Sequence, residues 1–121
     1  MSELIAIRSA EPADAAGIAL IYNHYVAHTV VTFEEEPVSS AEVARRIERV
    51  RAASCPWLVA EQATRVAGYA YATSWRSRSA YRFSVEVTVY VDPALPGRGI
   101  GSRLYTELFA ALQLRGVHAV M

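Results

Sequence analysis

The sequence predicts a single α/β domain. Apolar residues recur at helical spacing in three segments and alternate at strand spacing in others. Their order is strand, two helices, three strands, helix and the start of another strand. With 121 residues, 53% of them hydrophobic, the chain has enough apolar material for one small core. No internal repeat, low-complexity tract or linker divides it, so we expect one domain over residues 1–121.

The first strand and helix are predicted in the first 27 residues. Residues 4–8 form a short apolar strand candidate, and Pro12 suits a first helical turn. We expect a helix over residues 12–27. Its apolar stripe consists of Ile18, Ile21, Tyr22 and Tyr25.

The second helix follows an irregular or extended segment at residues 29–37. Ser39 and Glu42 have the spacing of a capping box, and Pro56 sets the limit before which the helix ends. The apolar stripe consists of Val43, Ile47 and Val50.

Three strands follow from Trp57 onward. Residues 57–62 and 66–75 are separated by a few residues and predict an antiparallel hairpin. Residues 82–92 form a longer strand, rich in Val, Thr and Tyr, that Pro93 stops.

The last helix has Gly116 as its C-terminal cap, and an apolar run at residues 117–121 begins another strand. Its apolar face consists of Leu104, Tyr105, Leu108, Ala111 and Leu112. Because the sequence ends inside that run, we expect a truncated domain; the alternative is a short natural C-terminal strand.

Charge and cysteine content exclude several functions. Twelve Lys and Arg balance twelve Asp and Glu, so no overall field attracts nucleic acid or a membrane surface. Cys55 is the only cysteine, which excludes an internal disulfide and fits a reducing compartment. The N-terminal apolar stretch is too short for a secretory signal or a membrane span. We therefore expect a cytoplasmic protein.

The run "VEVTVYVDPALPGRGIGSRLY" at residues 85–105 predicts an anion site, because it passes from a strand through glycines into a helix start. A Walker A loop needs Lys followed by Ser or Thr, which "GRGIGS" lacks. A dinucleotide fingerprint that uses Gly99 and Gly101 needs Gly or Ala where Leu104 stands. Spacing therefore disfavours both nucleotide classes.

The segment "VYVDPALPGRGIGSRLYTELF" resembles the acetyl-CoA-binding motif of the GNAT N-acetyltransferases, Gln/Arg-x-x-Gly-x-Gly/Ala. The blocks "NHYV", "TVVTFEEEP", "PWLVAE", "VAGYAYATSWRSRSAY" and "VEVTVYV" resemble, in order, the phosphinothricin and methionine sulfoximine acetyltransferase group. The resemblance implies a GNAT fold: a mixed, mostly antiparallel sheet flanked by helices. It also implies acetyl-CoA as co-substrate, no metal, and a homodimer.

Two departures from this pattern bear on acetyl-CoA binding. Pro96 stands at the Gln/Arg position and has no N–H to donate, although the amides of residues 97–102 remain and Arg98 is a candidate to compensate. A solvated loop arginine is the alternative for Arg98. The resemblance further implies that about a third of the domain, with its C-terminal strands and helix, is missing.

Glu86 is the candidate general base. Strand alternation places Glu86, Thr88 and Tyr90 on one face, opposite a row of valines. An amine nucleophile must lose a proton, and a carboxylate inside an apolar strand suits that role. The resemblance aligns Glu86 with the glutamate proposed as base or amine anchor; an exposed or ion-paired surface glutamate is the alternative.

The remaining site assignments follow from the resemblance. It implies that cofactor-binding residues are Val89, Tyr90, Val91, Gly97, Arg98, Gly99, Ile100, Gly101 and Ser102. Substrate contacts are implied for Phe33, Arg76, Ser77, Arg78, Glu86, Val87 and Thr88. Guanidinium groups suit carboxylate, phosphinate or sulfone oxygens; a solvated hairpin edge is the alternative for the arginines. Phe33 alternatively is a core residue.

A covalent or metal mechanism is disfavoured. Cys55 precedes a proline and has no nearby histidine in sequence to activate it, so a buried or idle thiol is favoured. The three histidines match no metal spacing. We therefore expect direct acetyl transfer in a ternary complex to phosphinothricin, methionine sulfoximine or methionine sulfone. The alternatives are another amine acceptor, or a CoA-binding module without turnover.

Overall fold

The computed structural model describes residues 5–28, 37–75, 84–95, 99–114 and 119–120. The predicted order of elements is confirmed. The elements are β1 Ile5–Ser9, a 3₁₀ turn Pro12–Asp14, α1 Ala15–His28, α2 Ser40–Ala52, β2 Trp57–Gln62, β3 Arg65–Trp75, β4 Ser84–Val91, α3 Ile100–Leu114 and β5 Ala119–Val120. In these ranges no helix is both long and apolar enough to cross a membrane. Gly116, the predicted cap of α3, lies outside them.

The strands form one sheet in the order β1-β2-β3-β4-β5. The first four strands pair antiparallel, and β5 pairs parallel with β4. In the described part of β5, this parallel pairing joins Ser84 to Ala119 and Val85 to Val120. The sheet is therefore mixed and mostly antiparallel, as predicted.

The predicted β2–β3 hairpin is confirmed, and its turn is two residues long. Ala63 and Thr64 have φ values of 52° and 63°. A type I′ turn requires positive φ at both positions, which glycine and asparagine adopt more readily than Ala or Thr. The hairpin therefore forms with unfavourable turn residues, and its pairing register shifts between Ala60 and Glu61.

The predicted helical start at Pro12 is confirmed; residues 12–14 form a first turn of 3₁₀ type, and the α-helix begins at Ala15. Asp14 accepts two hydrogen bonds from the Arg8 guanidinium, both 2.8 Å long, and one from the Glu11 N–H at 2.8 Å. Arg8 also donates to Glu61 at 3.1 Å. The Arg8 interaction holds the pKa of Asp14 below its ordinary value. This ion pair fixes the turn against β1 and β2.

At the start of α2, the predicted cap forms, with the Ser39 hydroxyl accepting from the Glu42 N–H at 3.1 Å. The Glu42 carboxylate accepts instead from three arginines further along the helix: Arg45 at 3.0 Å, Arg46 at 2.9 Å and Arg49 at 3.2 Å. The predicted stripe of α2 is buried.

The helices lie on both faces of the sheet. Tyr90 of β4 packs against Tyr22 and Tyr25 of α1, while α3 packs on the opposite face. Gly68 permits this second contact: a Cβ there would lie 3.0 Å from the Tyr90 carbonyl oxygen and 3.1 Å from Leu104. The sheet and α3 are therefore in close contact beside β4.

Candidate functional site

The two faces of β4 point toward different helices, as the alternation predicts. Tyr90 lies 5.7 Å from Tyr22 and 5.0 Å from Tyr25, measured between ring centroids. Val89 and Val91 face α3, because a Cβ built on Gly101 would lie 4.0 Å and 3.5 Å from their side chains. Burial raises the pKa of Tyr90, so its phenol is neutral near pH 7. The valine face therefore supports the start of α3.

The backbone groups of β4 also alternate in direction. The Asp92 N–H donates to the Ala67 carbonyl at 2.9 Å, and Asp92 continues the β3–β4 register. Since antiparallel residues alternate between hydrogen-bonded and non-hydrogen-bonded pairs, the N–H and C=O groups of Val87, Val89 and Val91 point away from β3. They point toward the β5 side, where the described pairing involves only Ser84 and Val85 of β4. An extended ligand with amide groups can pair with such an edge.

The end of β4 is held by several hydrogen bonds. The Tyr25 hydroxyl donates to the Val91 carbonyl at 2.7 Å. The Asp92 carboxylate accepts from Arg65 at 2.9 Å and from the Ala94 N–H at 2.9 Å, and the Leu95 N–H donates to the Asp92 carbonyl at 2.9 Å. These contacts set the direction in which the chain leaves the strand toward the glycines.

The two described glycines of the loop have different physical roles. Gly99 has φ +69°, a left-handed conformation that glycine adopts without strain, and a Cβ there would meet no atom within 4 Å. Gly101 lies inside α3, where a Cβ would make ordinary contact with Val91 and Val89. The Gly99 carbonyl accepts the helical bond of Arg103 at 3.0 Å. The first N–H groups of α3 have no acceptor within the helix, and a helix terminus of this kind can bind an anion.

Glu86 is exposed and lies opposite Thr73 in the β3–β4 register. The same alternation puts it on the face of β4 that carries Thr88 and Tyr90. It is thus on the side of α1 and α2, one residue before Val87 and three before Val89, whose backbone groups point outward. A carboxylate here is accessible to an acceptor that approaches from this side.

Several predicted site residues lie outside the described parts of the chain. They are Phe33, Arg76, Ser77, Arg78, Gly97 and Arg98, together with Pro96. The described members of the predicted site are Glu86, Val87, Thr88, Val89, Tyr90, Val91, Gly99, Ile100, Gly101 and Ser102. The structure therefore brings together the β4 and α3 parts of the predicted site.

Sequence reasoning missed Asn23 and Tyr25 as positioning residues. The Asn23 amide donates to the Val38 carbonyl at 2.8 Å and accepts from the Val38 N–H at 2.7 Å, as a β-strand neighbour would. Tyr25 bonds a residue 66 positions away. Both residues occur in the block "NHYV" at residues 23–26, but no local spacing indicates their hydrogen-bond partners.

Cys55 and the acidic and histidine residues show no alternative centre in the described structure. Cys55 is buried, as predicted, with 3% of its surface exposed. Among the described residues, no group of three or more His, Cys, Asp and Glu side chains could hold a metal ion. The geometry of β4 and α3 is thus the best-supported site.

In this mixed sheet, a glycine turn leads into the start of a helix, and the neighbouring strand has backbone groups that point outward along its edge. Acyl-CoA transferase domains have this arrangement. The chain belongs to the acetyltransferase (GNAT) domain family, whose model matches residues 7–121.

The relatives of this chain include acetyltransferases of small molecules. It is 41% identical to phosphinothricin N-acetyltransferase of Streptomyces viridochromogenes over 97% of the chain and 63% of that protein. It is 36% identical to the L-methionine sulfoximine/L-methionine sulfone acetyltransferase of Salmonella typhimurium, over 95% of the chain and 67% of that protein. The chain therefore spans less than two thirds of the first of these relatives.

A solved structure shows the same fold with a ligand. A GNAT phosphinothricin acetyltransferase of Sinorhizobium meliloti, in complex with acetyl-CoA, matches with a TM-score of 0.79 and 41% identity. The match covers 88% of this chain and 58% of that one.

Proposed function

We propose that this protein is an acetyl-CoA-dependent N-acetyltransferase acting on the amine of a small amino-acid-like acceptor. The observation that carries the proposal is the continuity of β4 and α3. Outward-pointing backbone groups at Val87 and Val89 are followed by the left-handed Gly99 and the start of α3. An extended ligand with amide groups and a pyrophosphate at one end matches this arrangement, in which the edge of a strand is followed by the start of a helix.

Acetyl-CoA supplies an activated thioester, so the chain has to bind, orient and move one proton. The outward-facing edge of β4 would bind the pantetheine amides. The backbone N–H groups of residues 97–102, at the start of α3, would bind the pyrophosphate. The amides around Val89 to Val91 would stabilise charge on the thioester oxygen. These groups suit the ligand because the first N–H groups of α3 have no acceptor within the helix, and a Cβ built on Gly101 would contact Val91 and Val89.

Glu86 would act as the base, directly or through water. The acceptor nitrogen forms a bond to the acetyl carbon, the carbon–sulfur bond breaks, and the sulfur leaves with the bonding electrons. The amine proton passes to Glu86, and the departing thiolate takes up a proton from solvent. General-base assistance of this kind contributes about 100- to 10,000-fold to rate.

A Glu86→Gln variant tests the catalytic role. Since glutamine keeps the shape and loses the basic oxygen, we expect turnover near pH 7 to fall at least about 100-fold with unchanged acetyl-CoA affinity. The rate deficit narrows at high pH, where more of the amine is already neutral. Glu48→Gln, an exposed carboxylate on α2, is the control and should leave turnover unchanged. Full turnover in Glu86→Gln at neutral pH contradicts the assignment.

The relatives support the proposed acceptor class, because they are acetyltransferases of phosphinothricin and of L-methionine sulfoximine or L-methionine sulfone. We propose that Arg76 and Arg78, with Ser77 and Phe33, contact such acceptors. The acceptor specificity is measured as thiol release with these acceptors and with other amino acids, polyamines and a peptide N-terminus. A response confined to polyamines or peptides contradicts the acceptor class. Acetyl-CoA binding without thiol release from any acceptor contradicts the enzymatic function.

Two further properties stay proposals from the family resemblance and the lone cysteine: a homodimer and a cytoplasmic location. Sedimentation at several concentrations measures the first, and fractionation of cells measures the second. A monomer at micromolar concentration contradicts the dimer.

A further inference from the structure

A cleft of about 460 Å³ lies between α2 and the face of β2 and β3 that α1 also covers. Its described lining combines charged, aromatic and hydroxyl side chains: Glu42, Arg46, Arg49, Val50, Ala53, Trp57, Tyr71 and Thr73. No step of the proposed acetyl transfer uses it. Mixed apolar walls with a few polar groups are typical of small-molecule sites.

The charged wall of the cleft has more positive than negative charge. Glu42 accepts from Arg46 and Arg49, at 2.9 Å and 3.2 Å, so the described lining has two guanidinium groups and one carboxylate. Hydrogen bonds from Arg46 and Arg45 lower the pKa of Glu42, which therefore stays ionised near pH 7. Glu42 therefore orients the two arginines along this wall of the cleft.

The opposite wall is flat and aromatic. The rings of Trp57 and Tyr71 are stacked, with centroids 4.1 Å apart and planes 17° apart. Arg46 places its guanidinium carbon 6.0 Å from the centre of the Tyr22 ring. The stacked rings thus give the cleft a flat apolar wall close to guanidinium groups.

The cleft reaches the proposed base. Thr73, at one end of its lining, is the register partner of Glu86 on β4. Tyr71 lies two residues back along β3, which is about 6.6 Å in a strand, and side chains two residues apart share a face. An acceptor whose amine meets Glu86 can therefore extend past Thr73 and over Tyr71 toward α2.

We propose that this cleft is the part of the acceptor site that binds the acceptor's anionic group remote from the amine, through Arg49 and Arg46. The ligand class is an amino acid with a terminal oxyanion on its side chain, a carboxylate or a phosphinate. The inference rests on the proposed function and names the acceptor contacts of the same site. Guanidinium groups suit this role because they bind two oxygens of one oxyanion in a fixed geometry.

The alternative is that the arginines only stabilise α2 through Glu42. Exposed ion pairs of this kind contribute little to stability. Arg45 offers a matched comparison, because it also donates to Glu42, at 3.0 Å, but does not line the cleft. A structural role predicts similar effects for Arg45 and Arg49, whereas ligand binding predicts an effect for Arg49 alone.

The test compares Arg49→Gln with Arg45→Gln, using phosphinothricin, whose side chain ends in a phosphinate, and L-norleucine, whose side chain is uncharged. We expect Arg49→Gln to raise the KM and the calorimetric Kd for phosphinothricin about 10- to 100-fold, the loss of one charge-assisted contact. Values for L-norleucine and acetyl-CoA should change less than about twofold. Arg45→Gln should leave all of them within about twofold.

Calorimetry separates this inference from the proposed function. If phosphinothricin binds in an Arg49-dependent way but no thiol is released, the inference stands and the enzymatic function fails. If thiol is released but both variants behave alike, or Arg49→Gln weakens both acceptors equally, the cleft assignment is overturned. Absence of phosphinothricin binding to the unmodified protein also overturns it.

Discussion

Alanine at Gly99 and alanine at Gly101 should have opposite effects, although the positions are two residues apart. At Gly99 the backbone has φ +69°, where a Cβ costs roughly 1–2 kcal/mol. Reduced freedom of the unfolded chain offsets about 0.4–1 kcal/mol of this. We expect Gly99→Ala to lower the free energy of unfolding by about 0.5–1.5 kcal/mol.

Gly101→Ala should be neutral or stabilising. Its Cβ would lie 3.5 Å from Val91 and 4.0 Å from Val89, which is ordinary van der Waals contact. Replacing glycine by alanine within a helix gains up to about 1 kcal/mol. The two variants should thus differ by about 0.5–2.5 kcal/mol in the free energy of unfolding.

Urea denaturation measures the stabilities, and calorimetry with acetyl-CoA measures the consequence for the proposed site. Because a strained Gly99 position changes the turn that precedes α3, we expect Gly99→Ala to weaken acetyl-CoA binding roughly three- to tenfold. Gly101→Ala should bind within about twofold of the unmodified protein. Equal destabilisation by both substitutions, or stronger loss of affinity in Gly101→Ala, refutes the reasoning.

Three further predictions concern the contacts around the site and the sheet. Tyr25→Phe removes the 2.7 Å bond to the β4 carbonyl and keeps the ring, so stability should fall by about 1 kcal/mol in urea denaturation; an unchanged midpoint means that water replaces the bond. Asp14 has a lowered pKa, so its contribution to stability is full above its ordinary value of 3.8 and is lost as pH falls through the lowered value. Asp14→Asn should therefore be less stable at pH 7 and lose less stability between pH 5 and pH 2 in thermal melts, and parallel pH profiles contradict this. Replacing Ala63 and Thr64 by Asn and Gly, which suit positive φ, should raise stability by about 1–2 kcal/mol without changing acetyl-CoA affinity; a lower melting temperature contradicts the turn assignment.

Local sequence pattern by itself determined the elements of this protein and predicted the chemical groups of its candidate site. The periods of two and 3.6 predicted the order of strands and helices, because they reflect which side chains share a face. The same alternation separated Glu86 and Tyr90 from the valines of β4, and the structure places Tyr90 against α1 and Val89 against α3. The glycine spacing indicated an anion site and, with the family resemblance, acetyl-CoA as its ligand.

The tertiary structure decided what depends on residues distant in sequence. Tyr25 meets Val91 across 66 positions, and Arg8 meets Glu61 across 53, and no local period specifies either partner. The sequence predicted the helical start at Pro12, but not the 3₁₀ form of its first turn or the ion pair of Arg8 with Asp14 there. The different roles of Gly99 and Gly101 required backbone angles and neighbouring side chains. Sequence determined the elements and the chemical groups, whereas packing between distant segments determined which groups meet, because contacts across a sheet depend on register and not on spacing along one strand.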